Sequence, residues 1–211
     1  MKDYTLNLIT APLVEPISLT EASLFLRIDE GFTEDDDYIQ GLITTARQFC
    51  EDFQNRAYIT QTWEMSLNDF SYSISDKACD YYEKSLIEIP KGSLQKVNTF
   101  TYKDANGIVN DLTEDIDFVL STRGILGRIC PPFGCVFPCE VLYPLDPIII
   151  NFTCGYGDVA DSVPLKIKQA IYLMVSHWYD NRSVISDRGG VPSEISFTVK
   201  SLLQQDRITI Y

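Results

Sequence analysis

The single histidine, His177, is the residue of this chain whose type best suits acid–base chemistry. Nucleophilic catalysis would need a serine, cysteine or carboxylate beside it as a triad partner. No serine, cysteine or carboxylate is visibly placed to form a triad with it, and His177 follows Met174 by three residues, at the margin of an apolar helical stripe. We therefore predict a hydrogen-bonded histidine in the core or at an interface, with a ligand or base role as the alternative.

Cys130, Cys135 and Cys139, with Cys154 nearby, could form part of a zinc site. Structural zinc sites usually contain two tight C-x2-C pairs, and this spacing contains none. The prolines between these residues favour a loop with buried thiols instead. The chain has 6 irregularly spaced cysteines, which indicates free thiols in a reducing compartment rather than a disulfide framework.

The acidic run at residues 29–37, DEGFTEDDD, could in principle bind a divalent cation. It lacks the alternating ligands and the distant glutamate of a calcium-binding EF-hand. Acidic residues at the start of a helix already have a physical role, because they complement the helix dipole. We predict no metal, no cofactor and no enzymatic activity. A metal-dependent nuclease built on these carboxylates remains the enzymatic alternative.

The net charge of −13 is unevenly distributed along the chain. Residues 1–60 contain 11 acidic and 4 basic residues, residues 61–163 contain 15 and 7, and residues 164–211 contain 4 and 6. Tight binding to nucleic acid needs clusters of Lys and Arg, and none is present. The acidity suits solubility, or a surface that DNA passes without adhering. The sequence has no membrane span or secretion signal, so we expect a soluble protein.

Two long amphipathic helices are predicted, at residues 35–55 and 164–182. The apolar residues of each recur at helical spacing, so each set lies on one side of its helix, and we predict that the two sides pack together. The predicted packing core consists of Ile39, Leu42, Ile43, Ala46, Phe49 and Phe53 in the first helix and Ile167, Ala170, Ile171, Met174, Val175 and Trp178 in the second. Cys50 lies in the first stripe as a small core residue.

A shorter helix is predicted at residues 18–28, where Ser18-Leu-Thr-Glu21 forms a capping box and Ala22, Phe25 and Leu26 point inward. Between the long helices the period changes to two, which predicts strands at 58–67, 86–89, 97–102, 118–121 and 148–152. Asn106-Gly107 predicts a hairpin with a type I′ turn.

The fold class predicted from these patterns is α+β. A helical bundle would form from the N- and C-terminal segments, residues 1–57 and 164–211, with a small antiparallel β domain inserted at 58–163. Residues 1–17 would be an extended arm on the surface.

The last five residues are Arg207, Ile208, Thr209, Ile210 and Tyr211. They alternate as a strand does, and no turn signal returns them to the chain. We expect this segment to be poorly ordered in a single subunit and to add as a strand to a partner's sheet. Folding back onto the chain's own sheet is the alternative.

Three stretches, in order along residues 17–182, resemble the head-tail connector (adaptor) proteins of tailed bacteriophages. They are ISLTEA at 17–22 with LRID at 26–29, NRAYITQTW at 55–63, and FTCGYG at 152–157 with Val163-Pro164 and WYDNR at 178–182. The chain departs from the family's pattern at residues 71–84, at 130–147 and at its C-terminus.

The resemblance implies a structural virion protein, made in the cytoplasm of a bacterial host, that forms a ring of about twelve copies under the portal protein. The ring would extend the DNA channel without binding DNA specifically and would provide the docking platform for a head-closure or tail protein. The C-terminal pentapeptide would bind the portal. Another neck component, such as a head-closure or tail-completion protein, and a non-viral binding module remain the alternatives.

Overall fold

The computed structural model describes residues 4–70, 86–182 and 197–209. Over these ranges the chain combines four α-helices with two antiparallel β-sheets, which confirms a mixed α and antiparallel-β class. The helices are α1 (Leu19–Leu26), α2 (Asp36–Gln54), α3 (Leu165–Asp180) and α4 (Phe197–Gln204). The strands are β1 (Tyr4–Thr10), β2 (Gln61–Leu67), β3 (Ile87–Ile89), β4 (Leu94–Lys103), β5 (Val109–Asp111), β6 (Val119–Ser121), β7 (Gly127–Cys130) and β8 (Ile148–Cys154).

The described residues divide into two compact units. The helical unit comes from residues 13–59 and 157–207, and the sheet unit from 4–12, 60–156 and 208–209. The start of the chain differs from the prediction, which placed it with the helices as an arm. Residues 4–10 form β1, which pairs antiparallel with β2 from Tyr4 opposite Leu67 onward. The alternation of Tyr4 and Leu6 with polar neighbours, together with the free edge of β2, accounts for this strand.

The five-stranded sheet of the sheet unit has the order β1-β2-β8-β4-β5, and the three-stranded sheet has the order β3-β7-β6. Strand β8 is central, and Ile148, Ile150 and Phe152 on it are buried. In the second sheet, Gly127 has a packing role, because a Cβ at this position would lie 2.1 Å from Cδ2 of Leu94. The aromatic part of the core contains Phe70, Phe100, Phe118 and Phe137.

The hairpin between β4 and β5 forms where Asn106-Gly107 predicted it, but its turn is not type I′. Gly107 has φ +83° whereas Asn106 does not have a positive φ, and type I′ needs positive φ at both central residues. The turn is closed instead by the Gly107 N–H, which donates to the carbonyl of Asp104. The Asp104 carboxylate accepts hydrogen bonds from the N–H groups of Asn106 and Ile108, both at 2.9 Å. This side chain decides the turn type.

In the helical unit, α1 begins at the predicted capping box. The Glu21 N–H donates to the Ser18 hydroxyl, and the Ser18 N–H donates to the Glu21 carboxylate. The bond from the Ser18 N–H is the largest cause of a lowered pKa for Glu21, and a bond from the Ser18 hydroxyl to the same carboxylate adds to it. Ala22 is buried as expected, but Phe25 remains exposed and stacks on Tyr172 with ring centroids 5.1 Å apart. Helix α1 has only 8 residues, and its inward face is narrower than the sequence suggested.

Candidate functional site

The apolar stripes of α2 and α3 lie against each other in the helical unit. Eight of the twelve residues predicted for this packing core are buried: Ile39, Ile43, Ala46, Ile167, Ala170, Ile171, Met174 and Val175. The Cys50 thiol lies 3.5 Å from the Met174 sulfur and joins the two helices at the centre of the contact. Burial raises the pKa of Cys50 to about 12, so this group is a neutral thiol and a packing residue.

The other four predicted core residues, Leu42, Phe49, Phe53 and Trp178, are half-buried. They lie at the margins of the stripes, where the surfaces of the two helices diverge. Phe49 and Phe53 stack with ring centroids 6.4 Å apart. The Arg207 guanidinium lies 4.9 Å from the centroid of the Phe53 ring, so this margin is covered by the C-terminal segment.

A buried ionic cluster on α2 was not predicted from the sequence. The Arg47 guanidinium donates to Glu15 at 2.7 Å and to Glu51 at 2.6 Å, and all three groups are largely buried. Burial lowers the pKa of Arg47, but the two carboxylates outweigh this effect and raise it overall. Thr44 donates a further hydrogen bond to Glu15 at 2.9 Å. The spacing of Arg47 and Glu51, four residues apart on the stripe side, was the available signal.

Side chains near the end of α2 donate hydrogen bonds to the backbone at the end of α4 and just after it. The Gln54 amide donates to the Leu203 carbonyl at 2.6 Å, and Arg56 donates to the Asp206 carbonyl at 2.7 Å. The Tyr58 hydroxyl donates to Gln54 at 2.6 Å. The bonds from Gln54 and Arg56 satisfy carbonyls at and beyond the end of α4, which otherwise lack helical partners. They hold α4 and the residues after it against the junction that follows α2.

The C-terminal segment therefore differs from the expectation of a free strand at its first two residues. Arg207 packs on Phe53, and Ile208 is only 4% exposed. Burial of the apolar Ile208 side chain is more favourable than its exposure to water, and this outweighs the tendency of a terminus to fray. Thr209 is exposed, and neither it nor its two predecessors form a strand. Ile210 and Tyr211 lie outside the described residues.

A second polar cluster joins the start of α2 to the end of α3. The Asp35 carboxylate accepts hydrogen bonds from Tyr179 at 2.6 Å and from Arg182 at 2.5 Å. The Arg182 hydrogen bond is the largest cause of a lowered pKa for Asp35, and the bond to Asp35 raises the pKa of Tyr179. The Arg182 guanidinium also lies over the rings of Tyr38 and Tyr179, at 4.8 and 4.7 Å.

The residues considered for chemistry are not brought together into a reactive site. His177 is exposed, so it is not a core histidine. Cys154 is buried and Cys130 partly buried, but Cys135 and Cys139 are exposed, so the prediction of buried thiols throughout the loop is wrong for these two. The apolar residues beside them, Phe133 and Val136, are also exposed and do not cover the thiols. Across the described ranges, no group of His, Cys, Asp and Glu could hold a metal ion, and no described helix could cross a membrane.

This chain is similar to known proteins both in sequence and in fold. Residues 16–115 match the family described as "Phage gp6-like head-tail connector protein". The comparison with curated proteins gave no match.

Three solved structures of gene transfer agent (GTA) particles contain chains with a similar fold. The chain aligns with one from the structure described as "Neck of empty GTA particle computed with C6 symmetry" with a TM-score of 0.75 and 21% identity, covering 97% of this chain and 96% of that one. The same coverage holds for "Virion of native gene transfer agent (GTA) particle", at TM-score 0.73 and 20% identity. It also holds for "Neck of native GTA particle computed with C12 symmetry", at a TM-score of 0.67 and 18% identity. These findings confirm the resemblance to the head-tail connector family, and the family match supports a structural connector role.

Proposed function

We propose that this chain is a non-enzymatic connector that forms a ring in the neck of a phage-like particle, between the portal protein and the tail side. The observation that carries the proposal is the family match over residues 16–115. It is supported by the structural alignment with a chain of a GTA neck, which covers 97% of this chain and 96% of that one. The protein would be made in the host cytoplasm and would reside in the assembled particle.

The ring is supported by the symmetry of the similar structures, which were computed with C6 and C12 symmetry. A dodecamer fits both, because twelve copies related by a twelvefold axis also obey a sixfold axis. In this proposal the helical unit, formed from residues 13–59 and 157–207, is the connector domain, and residues 60–156 of the sheet unit are inserted between its two parts. The ring needs no cofactor.

DNA would pass through the channel of this ring without specific binding. Residues 1–60 and 61–163 carry net charges of −7 and −8, whereas residues 164–211 carry +2. A channel lined by the acidic parts of the chain would repel the phosphate backbone and allow DNA to slide. A continuous belt of Lys and Arg facing DNA would contradict this part of the proposal.

The portal protein is proposed to bind the C-terminal segment, Arg207, Ile208, Thr209, Ile210 and Tyr211. Because Arg207 and Ile208 are held within the chain, contact with the portal would begin at the exposed Thr209 and the two residues after it. One copy of so short a segment would bind weakly, and a ring of copies would bind tightly through multivalency.

The test is capture of the purified protein by DNA-filled heads that contain the portal and lack this protein. We expect sedimenting heads to retain the wild-type chain, and heads without the portal to retain none. Removing Ile210 and Tyr211 should abolish capture while the far-ultraviolet circular dichroism stays unchanged. Equal retention by heads with and without the portal would contradict the proposed function. Undiminished capture of the shortened chain would contradict only the C-terminal portal site.

A further inference from the structure

Five large apolar residues are exposed on two segments of the sheet unit: Ile108, Val109, Val141, Tyr143 and Leu145. Their exposed fractions range from 43% for Tyr143 to 76% for Val141. We call these five residues the hairpin patch. Together they expose on the order of 500 Å² of surface, which is the size at which a patch on a soluble protein is often functional.

Backbone and ring contacts place the two segments side by side. The Tyr143 N–H donates to the carbonyl of Lys103 at 3.1 Å. The Lys103 ammonium lies 4.9 Å from the centroid of the Tyr143 ring. A Cβ on Gly107 would lie 4.0 Å from Cε2 of Tyr143, so this ring lies against the turn that leads into Ile108 and Val109. The two segments are therefore neighbours, and the Tyr143 ring lies beside the turn that leads into Ile108 and Val109.

The hairpin patch is held in place before any partner arrives. Asp104 closes the turn through four hydrogen bonds, two to its carboxylate, one to its carbonyl and one from its N–H to the Ile108 carbonyl. Strand β5, which begins at Val109, pairs with β4 on one side only and forms an edge of the five-stranded sheet. A surface that is already ordered loses little conformational entropy when it binds, and this favours affinity.

Acidic residues border the hairpin patch. Glu140 precedes Val141, Asp146 follows Leu145, and Asp111 ends β5, and all three are exposed. Lys103 lies over the Tyr143 ring and provides one positive charge to this surface. The border is thus negative, so a partner with basic residues around an apolar centre complements it in both charge and polarity.

The pKa of Tyr102, on the neighbouring strand β4, is consistent with this negative border. A hydrogen bond with Glu140 is the largest cause of its raised pKa, followed by burial and by the charges of Glu140, Asp104 and Asp117. Several carboxylates therefore act together at this end of the sheet. Two hairpin patches facing each other would bring these carboxylates into mutual repulsion, which disfavours pairing of the patch with its own copy.

We propose that the hairpin patch is the surface by which each copy docks the tail-side neck protein, whose complementary surface is apolar at its centre and rich in Lys and Arg at its rim. This assignment depends on the connector function proposed above. The C-terminal segment is the proposed contact with the portal. The hairpin patch is therefore available to bind the protein on the tail side of the ring. An apolar centre with a charged rim is the usual anatomy of a specific protein interface.

The experiment follows assembly in two steps, with the variant Ile108→Ser/Val141→Ser. Its matched control is Ile116→Ser/Ile125→Ser, which alters side chains of the same unit that are 70% and 65% exposed but lie outside the patch. Portal-containing heads are first loaded with each protein and sedimented. Purified tails carrying their terminal proteins are then added, and joined particles are counted by negative-stain electron microscopy.

We expect the patch variant and its matched control to load onto heads as the wild type does. The patch variant should reduce tail joining at least tenfold, because truncating central apolar residues removes most of the affinity of an interface. The control should join tails normally. A second variant, Glu140→Lys, leaves the apolar residues intact and should reduce joining by roughly fivefold at low salt, with a smaller effect at high salt.

The possible outcomes separate the docking surface from the connector function. If wild-type protein does not load onto heads, the connector function is wrong and the assignment fails with it. If it loads and both patch variants join tails normally, only the docking surface is wrong. If the patch variant stays folded but no longer forms rings by mass photometry, the occupant is a second copy, and the tail-side assignment is overturned.

Discussion

The contact between α2 and α3 predicts that Ile171→Asp destabilises the helical unit strongly, whereas Leu165→Asp on the same helix does not. Ile171 is 0% exposed and Leu165 is 81% exposed. Losing the apolar burial of Ile171 costs about 2 kcal/mol. An aspartate at this fully buried position would be neutral in the folded state, which at pH 7 means protonating a group whose ordinary pKa is about 3.9.

Each pH unit of forced protonation costs about 1.4 kcal/mol, so this second effect adds about 4 kcal/mol at pH 7. The total of about 6 kcal/mol is comparable with the whole stability of a typical domain. The folded-state pKa of the new carboxyl lies above its unfolded value, so stability is lost as the pH rises above about 4. At pH 4 the penalty should shrink to the burial cost of about 2 to 3 kcal/mol.

Urea unfolding followed by tryptophan fluorescence measures this effect. The two tryptophans lie in different units, Trp63 on β2 and Trp178 on α3, so a Trp63→Phe background reports on the helical unit alone. The Leu165→Asp control should stay within about 0.5 kcal/mol of its parent, because the new side chain is exposed and lies in the first turn of α3. If Ile171→Asp unfolds at the same urea concentration as Leu165→Asp, the two stripes do not form the core described here.

Three further predictions concern single residues. Arg47→Met should lower the free energy of unfolding by about 3–5 kcal/mol in urea titrations, because it leaves buried carboxylates without their cation; a loss below about 1 kcal/mol would contradict the cluster. Iodoacetamide at about pH 8 should modify Cys135 and leave Cys50 unmodified in the folded protein, as read by mass spectrometry, since burial raises the pKa of Cys50 to about 12. The pKa of Asp35 is lowered in the folded state, so its ionised carboxylate stabilises the fold above the unfolded pKa of about 4. This contribution is lost as the pH falls through the folded-state pKa, and Asp35→Asn should therefore make the melting temperature less dependent on pH on the acid side. An unchanged profile of melting temperature against pH would refute this.

The helices were predictable because their signals are local. The stripes of α2 and α3 repeat every three or four residues, and the capping box at Ser18 lies within four residues of sequence. Their pairing followed from the need of each stripe for an apolar partner. What the periodicity could not show is which residues sit at the margins, so Phe49 and Phe53 were predicted as core but are half-buried.

The features that were missed depend on contacts distant in sequence or on one side chain. Glu15 meets Arg47 across 32 residues, and no local pattern indicates that their charges would be buried together. Strand β1 was predicted only as an extended arm, because its strand identity comes from pairing with β2. The turn after β4 takes its type from the Asp104 carboxylate rather than from Asn106-Gly107. The burial of Ile208 is likewise not indicated by any local pattern in the last residues of the chain.

The connector account is tested most directly by a cryo-electron microscopy map of the neck of the particle that contains this protein, reconstructed without imposed symmetry. The account predicts a closed ring of about twelve copies directly beneath the portal, with the hairpin patch against the tail-side protein and acidic residues along the DNA channel. A neck that lacks this chain, or that contains it as a single unringed copy, would contradict the account.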